Sequence, residues 1–261
     1  MSDVVKPNSF KTNLSMVFVG LDAHLRTRVD DVIPEKLNMR LDELVNQLVT
    51  RCGRTLSKGE TFFRARINPL NIDSPLPCDQ MGAPPAHLAR EGRLAAAGVP
   101  LLYMANDEGT AIAELRPFRS AIVSVVTMTV VDDLRVIDFT RLPDLLDHQN
   151  ITINFDYIKL VELSELYFSA PAHSSDSMAY KYTQVLIQRL REKHFSAFIY
   201  ASAQKPGGKN LASFETDVAS IAGNVRTFKI EQVTYDYAPS TPRMQLSFPK
   251  TGPILPVSPL M

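Results

Sequence analysis

The stretch AIVSVVTMTVVDDLRVIDF, residues 121–139, decides how the chain reads as a fold. Ala121–Val131 is a long β-branched run, Asp132 and Asp133 supply a turn, and Leu134–Phe139 is β-branched again, so two strands are predicted. Upstream, Thr61–Ile67 (TFFRARI) is β-branched and aromatic and predicts a strand carrying two arginines. Val99–Ala105 predicts a buried strand, and Asn106 or Asp107 can cap a helix from about Glu108 to Arg116 before Pro117. Downstream, Ser177–His194 predicts an amphipathic helix through Tyr182, Val185, Leu186 and Leu190, and Ser196–Ala201 and Thr227–Tyr237 predict strands. Several strands with few helices and no regular β-α-β alternation predict an α+β fold with a largely antiparallel sheet.

Farther out, Leu41, Leu44, Val45, Leu48, Val49 and Cys52 fall on one helical face, and Gly53 stands where that helix would stop. Residues 1–58 are therefore expected to be a helical extension, residues 59–238 the main domain, and residues 239–261 an extended tail. From Pro239 that tail holds five further prolines. Asn68 to about His87 forms a long proline-rich loop, of the kind that inside a compact domain is usually functional or disordered. Residues 141–166 fit helical pieces joined by loops.

Composition excludes several classes. The 28 basic and 28 acidic side chains cancel, and no dense basic patch offers a nucleic-acid surface. Apolar runs such as Ala121–Val126 are far too short to span a bilayer, and Met16–Gly20 lacks the flanks of a secretory signal. Two cysteines, Cys52 and Cys78, fit a reducing cytoplasm better than a disulfide framework. His24, His87, His148, His173 and His194 are scattered, so no metal site is expected. There is no phosphate loop, no dinucleotide glycine fingerprint and no Gly-x-Ser-x-Gly elbow.

Three segments carry chemistry. On a strand Arg64 and Arg66 share a face, where two guanidiniums are costly unless an anion such as a pyrophosphate meets them. An edge strand with solvated arginines fits the same residues. A strand delivering Tyr103 and a helix returning Glu114, with Thr110 one turn earlier, make a pocket wall; Glu114 paired with Arg116 is the simpler alternative. Ser202 stands at the end of the apolar strand Phe198–Ala201, ahead of the 204–210 glycine loop and Asn210, either as a site residue or as an ordinary turn serine.

In this order, Phe63–Arg66, Gly92-Arg93, Gly98–Ala105, Thr110–Glu114, Tyr182–Gln184, Ile199–Ser202 and Gly208–Leu211 resemble the RES family over roughly residues 61–215. The stretch from Gly92 to Glu114 is the most specific part. The resemblance implies a core like that of ADP-ribosyltransferase toxins. It also implies an enzyme that splits NAD⁺ by hydrolysis or phosphorolysis, with inorganic phosphate as a possible second substrate. Transfer of ADP-ribose to a protein is the alternative activity, and a non-catalytic partner-binding module the alternative class. It further implies a toxin silenced by an antitoxin or immunity protein, needing no metal and no cofactor beyond NAD⁺ as substrate. Carried over, Arg64 resembles the arginine that grips the phosphates, and Arg93 and Tyr103 resemble residues shaping the nicotinamide-ribose pocket, with Thr110 and Asn210 beside them. Glu114 resembles the catalytic carboxylate and Ser202 the serine that orients substrate. Leu94–Ala97 departs from the family, which often has an asparagine shortly after Gly-Arg, so the implied pocket has one polar contact fewer.

Overall fold

The computed structural model describes His24, residues 33–141 and residues 178–234. The patch at 16–20, most of the 141–166 segment and the tail from Pro239 lie outside the described residues. Helix α1 (Glu35–Cys52) buries Leu41, Leu44, Val45, Leu48 and Cys52. The sequence stripe is thus the packed face, and each fully buried Leu contributes about 2–3 kcal/mol. Gly53, the C-cap of α1, turns to extended backbone while its N–H still returns to the Val49 carbonyl, and sterics demand glycine there. A Cβ there would lie 2.4 Å from the Val49 carbonyl oxygen and 3.2 Å from the Phe195 ring.

Strand β1 (Gly53–Leu56) follows at once, then β2 (Thr61–Ile67), β3 (Leu102–Ala105), helix α2 (Glu108–Glu114), β4 (Ile122–Val130) and β5 (Leu134–Asp138). Helix α3 (Met178–Glu192), β6 (Ala197–Ala201), β7 (Lys209–Ser213) and β8 (Ala219–Lys229) follow, and two 3-10 turns, Cys78–Met81 and Ala86–Leu88, lie between β2 and β3. The fold is α+β, an eight-stranded sheet in the order β1-β5-β6-β7-β3-β2-β4-β8. Only β5 and β6 run parallel among the neighbouring pairs.

Flat, eight strands would be about 34 Å wide. Instead one core cluster draws on every strand, including Leu56, Phe62, Met104, Val126, Val136, Ile199, Leu211 and Ala219. The sheet therefore curls around that core. Curling also explains why β4 and β5, three residues apart in sequence, do not pair with each other: they lie second from opposite ends of the strand order. On the outer face, α1 and α3 cover β5, β6 and β7 through Leu44, Leu48, Leu186, Leu190, Ile137, Phe198 and Ala212. Helix α2 covers the β2–β3–β4 part through Ala111, Ile112 and Leu115 against Ala65, Ala105 and Val125.

Several boundaries differ from the sequence expectation. Strand β3 begins at Leu102 rather than Val99, because Gly98 takes a positive φ of 85° and its N–H returns to the Ala89 carbonyl. Helix α2 stops at Glu114, with Arg116 already at φ 48°. The last strand starts at Ala219, well before Thr227, and ends at Lys229. Its alternation is obscured because much of it is half-exposed. Among the described residues no helix is long and apolar enough to cross a membrane.

Candidate functional site

Strands β2 and β3 are joined by the single pair Phe63↔Ala105. Beyond it they part, and a cavity of about 410 Å³ occupies the split, within the range of small-molecule sites. Its apolar wall includes Phe63, Ala65, Pro84, Ala105, Ala111 and Leu115; its polar groups are Arg64, Arg66, Tyr103, Glu114, Tyr200 and Asn210.

Arg64 is buried. Its Nε donates to the Met81 carbonyl at 2.6 Å, Nη2 to Gly82 at 2.8 Å and Nη1 to Tyr103 at 2.6 Å. The guanidinium thus ties β2 to β3 across the split and to the short 3-10 turn Cys78–Met81. Arg66 shares the face, as the alternation predicts, and its Nη2 donates to the same Gly82 carbonyl at 2.7 Å. Burial lowers both arginine pKa values, that of Arg64 to about 10, where the nearby charge of Arg66 adds to the effect. Among the described residues neither guanidinium has a carboxylate partner. Two cations held by carbonyl dipoles, with no carboxylate beside them among the described residues, leave net positive charge in the cavity wall.

Glu114, the last residue of α2, is exposed and lines the same cavity. Its Oε1 accepts from Ser202 Oγ at 2.6 Å and from Asn210 Nδ2 at 2.7 Å. Ser202 Oγ in turn accepts the Gln204 and Lys205 N–H groups, each at 3.1 Å. The serine hydroxyl is saturated by these three bonds, which makes it a holder of the carboxylate and a poor nucleophile. Asn210 is buried and flanked in register by Ala105 on β3 and Tyr200 on β6.

Tyr103 is 40% exposed, yet desolvation of its hydroxyl pushes its pKa up to about 12, against the pull of Arg64. Tyr200 is pushed well above the ordinary tyrosine value, first by burial and then by Tyr103 and Glu114, while Arg93 acts the other way. A Cβ on Gly92 would lie 3.9 Å from the Tyr103 hydroxyl, so the Gly92-Arg93 loop passes beside the same site. The loop is fixed by Gln184 of α3, whose Nε2 donates to the carbonyls of Gly92 at 2.8 Å and Ala95 at 3.2 Å.

Arg64, Glu114, Ser202, Tyr103 and Asn210 are thus brought to one cavity or its immediate rim, with Arg93 alongside. Thr110 is not, and its expected place in the substrate pocket is corrected. It is fully buried, its Oγ1 donates to Asp107 Oδ2 at 2.6 Å, and it packs on Gly208. Helical spacing put Thr110 and Glu114 on one face, but the first turn of so short a helix is covered by the 204–208 loop. Tyr200 and Gln184 stand inside motifs that carry the resemblance, Ile199–Ser202 and Tyr182–Gln184, but the sequence alone gives neither a role in building the site. The alternation of β6 could have flagged Tyr200, which faces outward with Phe198. Among the described residues no three His, Cys, Asp or Glu side chains gather as a metal site requires.

In comparison with known proteins, the model of the RES domain matches residues 73–237, well over half of the chain. The matched span starts and ends later than the motif reading of 61–215, and it leaves α1, β1 and all of β2, with Arg64 and Arg66, ahead of it. No curated protein matches the chain.

Proposed function

Because the chain belongs to the RES domain family, whose members point to an NAD⁺-related, toxin-type function, we propose that the β2–β3 cavity binds NAD⁺ and breaks its nicotinamide–ribose bond. The observation that carries this reading is the charge pattern of the cavity. The same cavity is lined by two guanidiniums that have no carboxylate partner among the described residues and by a carboxylate whose Oε1 is hydrogen-bonded, and no ion pair joins the two kinds of charge. NAD⁺ has the complementary pattern, an anionic pyrophosphate and a cationic nicotinamide ring.

The chemistry follows from that match. The C1′–N bond breaks with its electron pair passing to nicotinamide, which departs neutral and needs no general acid. The ribose gains oxocarbenium character, and the fixed Glu114 carboxylate stabilises it directly or through a ribose hydroxyl. Water or inorganic phosphate then attacks C1′, and the proton of an attacking water passes to Glu114 or to solvent. Arg64 and Arg66 convert phosphate binding into orientation of the ribose. Ser202 and Asn210 hold the carboxylate in one rotamer. No step requires a metal. A toxin role restrained by a protein partner goes with the family connection.

The test incubates purified full-length protein with NAD⁺, with and without inorganic phosphate, and separates the products. Nicotinamide release is expected, with ADP-ribose or its 1″-phosphate identifying the acceptor. Intact NAD⁺ under both conditions overturns the reading. A labelled protein band, with tagged NAD⁺ and cell extract, would move it to protein ADP-ribosylation.

A further inference from the structure

Segment 202–210 runs alongside α2 and touches both of its ends. Ser202 and Asn210, at the two ends of the segment, bind Glu114 at the helix C-terminus. Lys205, in its middle, reaches the N-terminus, where Nζ meets Asp107 Oδ1 at 2.5 Å. A helix of seven residues is about 10 Å long, so the segment splints it from end to end.

The contacts between are close. Asp107 is the N-cap of α2 and accepts the Thr110 N–H at 2.9 Å. Lys205 crosses the first turn over Gly109, where a Cβ would lie 3.0 Å from Nζ. Asn106 Oδ1 accepts the Lys209 N–H at 2.7 Å, and the Ser202 N–H donates to the Gly208 carbonyl at 2.8 Å, closing the loop on itself.

We propose that Lys205 and Asp107 are positioning residues for Glu114, their ion pair clamping the 202–210 segment along α2 so that the carboxylate keeps one orientation toward the cavity. The proposal rests on the reading of Glu114 as the carboxylate that meets the ribose. The pair is itself 42% and 37% exposed, and exposed pairs add little to global stability. Its work is therefore local and separable from folding.

Wild type is compared with Lys205→Met, Lys205→Arg and Asp107→Asn, the last keeping a side-chain oxygen for the helix cap. In NAD⁺ turnover, kcat is expected to fall about tenfold in Lys205→Met and Asp107→Asn, with KM within about twofold and the melting temperature nearly unchanged. Lys205→Arg should recover most of kcat. Unchanged kcat in Lys205→Met, or no rescue by arginine, overturns the clamp. A second measurement does not depend on activity. Amide hydrogen exchange across residues 111–116 should quicken in Lys205→Met while exchange in α1 stays as in wild type. If wild type leaves NAD⁺ intact, the functional reading fails by itself, and unchanged exchange at 111–116 then overturns the clamp.

Discussion

The cavity's two kinds of charge, on β2 and on α2, are held in opposite ways. On β2, Arg64 is buried and its three nitrogens are met by backbone carbonyls of Met81, Gly82 and Tyr103. On α2, Glu114 is exposed, and its partners are the side chains of Ser202 and Asn210. Carbonyls tie a charge to the path of the chain, so Arg64 is a structural rivet. Side-chain partners tie a charge to a rotamer, so Glu114 carries less of the fold. Stability and activity should therefore separate between the two groups.

The largest expected effect follows from that division. Arg64→Ala strands three carbonyls and opens the β2–β3 split, so it should cost about 3 kcal/mol or more in denaturant unfolding and abolish NAD⁺ binding. Glu114→Gln should leave the unfolding free energy within about 0.5 kcal/mol of wild type yet lower kcat roughly a hundredfold or more. Equal stability losses at the two positions would break the comparison.

Next is the seam behind Glu114. A Cβ on Gly208 would sit 2.4 Å from Thr110 Oγ1 and 2.9 Å from its Cγ2. Gly208→Ala should cost about 1–3 kcal/mol by thermal unfolding and lower turnover as α2 shifts. A variant as stable and active as wild type would show that the seam yields easily.

The contrast also explains what was legible in the sequence. Phe63–Arg66 announced a strand with both arginines on one face, and that face is real, since both donate to Gly82. Nothing near Arg64 announced that its partners would be the carbonyls of a distant 3-10 turn, because every backbone carries carbonyls. Glu114, Ser202 and Asn210 are named through the resemblance of their motifs to the RES family; taken singly, each residue type also fits an ordinary surface or turn role. The failure at Thr110 has the same root as that at Arg64. Periodicity gives the face of a helix, but the 204–208 loop decides which part of that face is covered. Curling of the sheet, which separates β4 from β5, depends on contacts made by all eight strands, and no local pattern encodes it.

A smaller effect concerns pH. Burial raises the Asp107 carboxyl, but the hydrogen bonds from Lys205 and Thr110 and the ammonium charge outweigh it and hold the pKa down to about 2. Its folded pKa is depressed, so its contribution is fully present above the unfolded value of about 3.9 and is lost as pH falls through about 2. An NMR titration of the carboxyl should find that midpoint, and Lys205→Met should move it upward. An ordinary carboxylate value in wild type would mean the pair is not formed in solution.

The smallest effect concerns the cysteines. Burial, helped by Asp138, pushes the Cys52 thiol up to about 12, while Cys78 is exposed on the turn that holds Arg64. At pH 8 an alkylating reagent should label Cys78 alone in the native protein and both in denaturant. Native labelling of Cys52 would place α1 outside the common core.

The structure of Glu114→Gln soaked with NAD⁺ tests the proposed division of roles between β2 and α2 most directly. The nicotinamide ring and ribose C1′ should lie against residue 114, with the pyrophosphate within hydrogen-bond reach of Arg66 and the remaining N–H groups of Arg64. A dinucleotide bound in the reverse sense, or outside the β2–β3 split, would contradict the charge pattern from which the chemistry was drawn.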